Sequence, residues 1–231
     1  MKYFIYLLFL NFILIQKIYS QNFDDLKIYT ENNPPYVTVD DKNQISGHVG
    51  NKVLKILKKT NINPNCIEIL PWARALLDAK KRKNVMIFPF VKTKERNGIF
   101  NFAILAYKQS LNFYKLKISK DIHVKNLEDA KKYSTCVVRN DYKHEHLLSE
   151  NFTNFEETTH QNINVQKFLN HRCDLIISAE EGLIAKLKEF NTNINTIEKV
   201  LEVKNFDANI YIAFSPGTDQ DIIDAFINAD K

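Results

Sequence analysis

The chain has 231 residues, 45% of them hydrophobic and 26% charged, with a formal charge of +5 that falls to +3 once Lys2 and Lys17, in the leader described below, are set aside. Acids and bases are interspersed, which excludes the concentrated basic face that a nucleic-acid partner requires. Three cysteines, Cys66, Cys136 and Cys173, are too few for a disulfide scaffold, and none follows the leader closely enough to carry a lipid, so the protein is expected to be untethered and monomeric.

Residues 1–20 read as a secretory leader, with Lys2 as the positive end, an apolar stretch broken only by Asn11, and the small Ser20 at the expected cut, although Ile18 is an unusual residue at the minus-three position. Its apolar core falls short of the roughly 20 residues needed to span a bilayer, and no later stretch is long and apolar enough. The expected mature chain suffices for one large core or two of about 100 residues each.

Residues 26–30 alternate apolar and polar side chains and stop at Glu31-Asn32-Asn33-Pro34-Pro35, the pattern of a strand feeding a loop. Val49, Val53, Leu54, Ile56 and Leu57 then recur at helical spacing. A short strand over 66–70 runs into Pro71, the expected first position of a helix. Lys80, Lys81, Arg82 and Lys83 read as the solvated end of that helix. Residues 85–91 form a continuous apolar run, a buried strand. This alternation predicts a parallel sheet covered by helices on both faces.

Beyond Arg96 the pattern is less regular, and residues 111–118 read as a long strand crossing from one lobe to another. A second α/β unit follows: helix 127–133, strand 134–139, a helix start at 144–150, helix 165–170, strand 173–178 and helix 181–190. Residues 209–214 read as a strand returning to the first lobe, and 219–229 as a helix capped by Thr218 or Ser215. Cys136 and Cys173 lie in strand-like runs; buried thiols are the default expectation and a disulfide the alternative. His144-Glu145-His146 places its histidines on different faces of a helix, so it reads as a solvated surface and not as a metal site. No cofactor or metal is expected.

Several motifs, in order, resemble those of the type II periplasmic solute-binding proteins of ABC transporters, in particular the polar amino-acid-binding branch (solute-binding protein family 3). Thr30-Glu31-Asn32-Asn33-Pro34-Pro35-Tyr36 looks like the family's opening strand and Pro-Pro-aromatic loop, with Gly47 before the first helix. Pro71-Trp72-Ala73-Arg74-Ala75-Leu76 looks like its "PWxRaL" helix start. Thr93-Lys94-Glu95-Arg96 matches "T-x-E-R", Phe100 to Ala103 matches "F-x-F-S" with Ala103 for Ser, and Asp174-Leu175-Ile176-Ile177 matches the "G-R-x-D" strand with His171 for Gly. The resemblance implies an α/β, two-lobed periplasmic-binding-protein-like type II fold, each lobe a mainly parallel sheet flanked by helices, joined by two crossing segments. Lobe I would comprise 21–108 plus 208–231 and lobe II 109–207. It further implies a periplasmic protein that captures a small-molecule solute, an amino acid or other carboxylate, by hinge closure for delivery to an ABC permease, or that reports it to a membrane receptor.

A carboxylate taken out of water needs a planar, permanently charged, two-pronged donor, which arginine supplies. Arg96 is the expected ligand-carboxylate residue, both on this ground and because the resemblance gives its motif that role. Helix starts at Pro71-Trp72 and at Asn140-Asp141-Tyr142 would point backbone N–H groups at an anion. Trp72 and Tyr36 either stack on the ligand or pack between helix and sheet. Glu31 is an acid at a strand end, where the resemblance implies contact with a cationic ligand group.

The sequence departs from the family at three places. Ala179 stands where an aspartate usually receives the ligand's α-amino group, so either the adjacent Glu180 substitutes or the ligand lacks that group. Phe88, Pro89, Phe90 and Val91 replace small polar residues, making the pocket more apolar. Asn140-Asp141 replaces a Gly-Ser or Gly-Thr loop. An enzyme is not expected: no nucleophile with an orienting base is visible, and a dehydratase-like reaction on the same fold would have only Glu31, Asp141 and Glu180 as acids.

Overall fold

The computed structural model describes residues 23–231; the expected leader lies outside the described residues. Among the described residues twelve strands form two five-stranded sheets and a small hairpin. The first sheet has the order β4-β1-β5-β12-β6, built from β1 (Lys27–Thr30), β4 (Ile67–Ile69), β5 (Val85–Val91), β6 (Asn101–Tyr107) and β12 (Ile210–Phe214). The second has the order β11-β7-β10-β8-β9, from β7 (Asn112–Leu116), β8 (Thr135–Val138), β9 (Phe155–Thr158), β10 (Leu175–Ser178) and β11 (Ile197–Glu202). The hairpin pairs β2 (Thr38–Val39) with β3 (Ile45–Ser46). Among the described residues no helix is long and apolar enough to cross a membrane.

Each sheet is parallel where strands are joined through helices and antiparallel where the chain passes between sheets. In the first, β1 pairs in parallel with β4 and β5, and β12 runs antiparallel to β5 and β6. In the second, β8 is parallel to β10 and β9, and β7 is antiparallel to β10 and β11. The chain therefore crosses twice, through 108–111 and 203–209. The expected long crossing strand at 111–118 is corrected by this topology: β7 lies wholly in the second sheet, paired on both sides, and the crossing is made by the preceding irregular residues.

Helices cover both faces of each sheet, as the continuous apolar run of β5 demands. On one face of the first sheet α1 (Gly47–Lys59) and α8 (Gln220–Asp230) enclose Ile28, Val53, Leu57, Met86, Phe88, Phe214 and Phe226. On the other, α2 (Trp72–Lys81) covers Tyr29, Ile87, Phe90 and Phe100. A short α3 (Lys94–Asn97) follows β5. The second sheet is flanked by α4 (Leu127–Ala130), α5 (Tyr142–Ser149), α6 (Gln161–Leu169) and α7 (Glu180–Glu189). Its two cores centre on Phe113, Leu147, Phe152 and Leu175, and on Val165, Phe168, Ile176 and Leu187.

Pro89 interrupts a central strand, where its missing N–H would break the ladder. The ladder accommodates it with an irregularity: Tyr211 opposes Phe90, and the next pairing is Ala213 with Ile87. Phe88 and Phe90, two apart, consequently face opposite cores, Phe88 toward α1 and Phe90 toward α2. The bulge is what places Phe90 beside Trp72 and Arg96.

Three expectations are revised. Cys136 and Cys173 are disulfide-bonded, joining β8 to the start of β10 across 37 residues; in a chain-entropy account such a closure contributes about 4 kcal/mol. α8 is not capped by Thr218 or Ser215, because those two side chains hydrogen-bond each other; Asp219 is the N-cap, and its N–H donates to Asn84 Oδ1 at 3.0 Å. His144 and His146 are buried, at 6% and 8% exposure, and not a solvated surface. Each has an aromatic neighbour to cover it: His144 meets Phe155 edge-on and His146 stacks on Phe206.

The loop 33–37 is docked on the start of α1. His48 N–H donates to Pro35 O at 3.1 Å, and the N–H groups of Val49 and Gly50 donate to Tyr36 O at 2.8 and 3.1 Å, so loop carbonyls satisfy this helix end. Gly47 makes this approach possible: its φ is +91°, and a Cβ there would lie 2.6 Å from Pro35 O. Gly47→Ala is expected to lower stability by about 2 kcal/mol or more, whereas Gly98→Ala, with nothing within 4 Å of its Cβ position, should change it by less than about 0.5 kcal/mol. Urea unfolding of the two variants checks this; equal effects would contradict the docking.

Candidate functional site

Arg96 lies where the two lobes meet. Thr93 caps the single turn of α3, its Oγ1 accepting from Arg96 N–H at 3.3 Å, and the turn aims the guanidinium back under the end of β5. There Nη1 donates to Val91 O at 3.3 Å, and the guanidinium carbon sits 5.0 Å from the Phe90 ring centroid and 6.0 Å from that of Trp72. The residue is only 3% exposed. Its charge is met from the second lobe, where Nη2 donates to Glu145 Oε1 at 2.9 Å. Arg96 Nε and Glu145 Oε2 are both buried and make no hydrogen bond, so the pair is joined at a single point.

The second lobe's contribution comes from the start of α5. Asn140 turns the chain with φ +59° and is itself exposed. Asp141 caps the helix, accepting from Lys143 N–H at 3.4 Å and pairing with the buried Lys143 ammonium. Tyr142 packs against cores of both lobes and lies parallel to Phe206. Burial, with Asp141's charge second, raises its phenol's pKa. Glu145 lies one turn after Asp141 and its N–H donates to Asp141 O at 2.9 Å, which puts both carboxylates on the face turned to the first lobe.

A second set of contacts surrounds Tyr36. Its hydroxyl donates to Gln109 Oε1, while Gln109 Nε2 donates to Ala208 O at 2.8 Å and Gln109 N–H to Asn209 Oδ1 at 3.2 Å. One side chain thus ties both crossing segments to the first lobe's loop. Tyr36 also abuts the first turn of α7: a Cβ on Gly182 would lie 3.5 Å from its hydroxyl oxygen. Beside it, Glu181 accepts from Tyr107 and lies 3.5 Å from His48 Nε2, and His48 stacks on Tyr107.

The structure thus brings Arg96, Trp72, Phe90, Tyr36 and Glu31 of the first lobe toward Asp141 and Tyr142 of the second. Glu180 is exposed and acts electrostatically on Tyr114, on a different core; its neighbour Glu181 makes the cross-lobe contacts. Sequence reasoning missed Glu145, Glu181, Gln109 and Tyr107. For Glu145 the signal was its i+4 spacing from the cap residue Asp141; Gln109, in an irregular stretch, had none.

No family model and no curated sequence matches this chain. Solved structures do resemble it. A histidine kinase sensor domain with similarity to periplasmic binding proteins matches with a TM-score of 0.74 at 14% identity, over 89% of this chain and 88% of that one. A structure from work on glutathione import through GshT and the cystine ABC importer TcyBC of Streptococcus mutans matches at 0.72, with 14% identity over 88% and 87%. An amino acid ABC transporter substrate-binding protein from Streptococcus pneumoniae, bound to L-arginine, matches at 0.70, with 17% identity over 89% and 86%. The chain has the two-lobed periplasmic-binding-protein-like fold.

Glu31 follows β1 at the site. Burial, reinforced by the charge of Asp141 and opposed by Lys143, Lys186 and Arg96, pushes its carboxyl from the ordinary 4.5 up to about 7. The folded form therefore keeps a proton that the unfolded chain has lost between these values, so Glu31's contribution to stability is fully present below pH 4.5 and is lost as pH rises through 7. The expected loss is up to about 3 kcal/mol across that window, and Glu31→Gln should remove it. Urea unfolding of both proteins at a series of pH values reads this directly; parallel curves would contradict the placement of Glu31.

Proposed function

We propose that this protein is an extracytoplasmic solute-binding protein that captures a small carboxylate-bearing solute, an amino acid or a related compound, between its lobes by hinge closure. The observation that carries the reading is Arg96: a guanidinium buried at the lobe junction, stacked on aromatic rings, with a free N–H for a second bond to a carboxylate. In this reading lobe I comprises 21–108 plus 208–231 and lobe II 109–207. Trp72, Phe90 and Tyr36 wall the site, Glu31 and Asp141 flank it, and Asn140 and Tyr142 come from the opposing lobe. Closure is selected because only the closed form offers the solute both sets of contacts. Structural neighbours that bind solutes, not ones that catalyse reactions, support a role without catalysis.

Delivery to an ABC permease is the first partner assignment, supported by the importer-linked neighbours. Sensing for a membrane receptor is the second, favoured by the histidine kinase sensor domain, whose TM-score of 0.74 exceeds those of the other two. Thermal unfolding against amino acids, small carboxylates, opines and short peptides tests the common core of both. A solute at 100 times its Kd should add about 2.7 kcal/mol and raise the midpoint by several degrees, and Arg96→Ala should abolish the shift. A shift that survives in Arg96→Ala would remove Arg96 from the site.

A further inference from the structure

Where a solute's carboxylate would sit, the protein has placed one of its own. Glu145 Oε1 accepts from Arg96 Nη2 at 2.9 Å across the lobe junction, and its side chain is 23% exposed against 4% for that of Arg96. The pair is incomplete in a specific way, because one donor, Arg96 Nε, and one acceptor, Glu145 Oε2, are buried without hydrogen bonds. A free carboxylate, unconstrained by a helix, is able to use both prongs of the guanidinium; Glu145, fixed on α5, uses one. The α5 backbone is held independently, by the Asp141 cap and by the Glu145 N–H bond to Asp141 O, so the Glu145 side chain can leave without unwinding its helix.

We propose that Glu145 is an internal occupant of the Arg96 subsite, which latches the lobes together in the absence of solute and must be displaced by the incoming carboxylate. The proposal rests on the reading of Arg96 as the solute-carboxylate residue. Its consequence is a competition: apparent affinity falls by the fraction of molecules in which Arg96 is already paired, and the protein discriminates against carboxylates that engage the guanidinium no better than Glu145 does. Among the described residues the other cross-lobe contact between a basic and an acidic side chain, His48 with Glu181, is about half exposed on both sides and is the weaker restraint.

The latch is tested on ligand-free protein, so that its fate is separable from that of the solute reading. Small-angle scattering should show a compact wild type and a larger radius of gyration for Glu145→Ala, and also for Glu145→Gln, which keeps the volume and loses the charge. Sodium acetate, compared with chloride at equal ionic strength, should raise the unfolding midpoint of Glu145→Ala by several degrees. It should not do so for wild type or for the Arg96→Ala, Glu145→Ala double variant. Equal radii for wild type and both Glu145 variants would overturn the latch, as would acetate acting alike on wild type and Glu145→Ala. With any solute that binds wild type, such as L-arginine, Glu145→Ala should bind at least tenfold tighter; unchanged or weaker binding would overturn the displacement step while leaving the solute reading intact.

Discussion

A guanidinium withdrawn from water has to be given a carboxylate, since leaving it unpaired costs several kcal/mol. Arg96 is the one arginine at the lobe junction, and the geometry of both lobes can be traced from it. On its own side it needs Thr93 to start the turn that carries it, Val91 O to fix one prong, and Phe90 to support its plane. Phe90 reaches it only because the ladder slips at Pro89 and turns that residue toward α2. Across the junction it needs an acid, and α5 supplies Glu145.

The rest of the junction is organised around the two crossings of the chain. Gln109 in the first crossing hydrogen-bonds Ala208 and Asn209 in the second, and Tyr36 bonds Gln109 from the loop docked on α1. Gly47 is therefore linked to the lobe junction through the loop it admits. The two crossing segments are thus held to each other by side-chain amide bonds and not only by the sheets at either end.

Much of this was legible in the residues. β5 is recognisable from its unbroken apolar run, and Pro71 marks a helix start by chemistry that does not depend on the fold, although it caps the helix and Trp72 is the first helical residue. β6, β9 and β11 were not read. Phe155-Glu156-Glu157-Thr158 and Ile197-Glu198-Lys199 carry charges at every other or consecutive positions because β9 and β11 are edge strands, with one flank open to water, so period-two alternation is blurred. The histidines of His144-Glu145-His146 were misread for a related reason: both are covered by residues distant in sequence, His144 by Phe155 of β9 and His146 by Phe206 of the second crossing. Local pattern carries no record of those contacts. The carboxylate between the histidines is the residue that meets Arg96.

Two helix N-termini of lobe II, those of α5 and α7, are already furnished with negative charge. α5 has Asp141 and Glu145 in its first turn, and α7 has Glu180 and Glu181. A helix N-terminus favours an anion whether it is part of a solute or of a side chain one turn away, so these acids stabilise their own helices and reduce the pull on any other anion there. On this lobe the positive charges near the junction are likewise answered locally, Lys143 by Asp141 and Lys186 by Glu189. In the proposed reading the attraction for a solute carboxylate therefore resides on lobe I, at Arg96. Among the described residues both cross-lobe contacts of a basic with an acidic side chain, Arg96 with Glu145 and His48 with Glu181, place the acid on lobe II and the base on lobe I. Of the two, the pair removed from water has the greater hold, because the exposed one is screened and free to exchange with solvent. Whatever changes the lobe contact most must then act on Arg96, and the group it has to displace is Glu145.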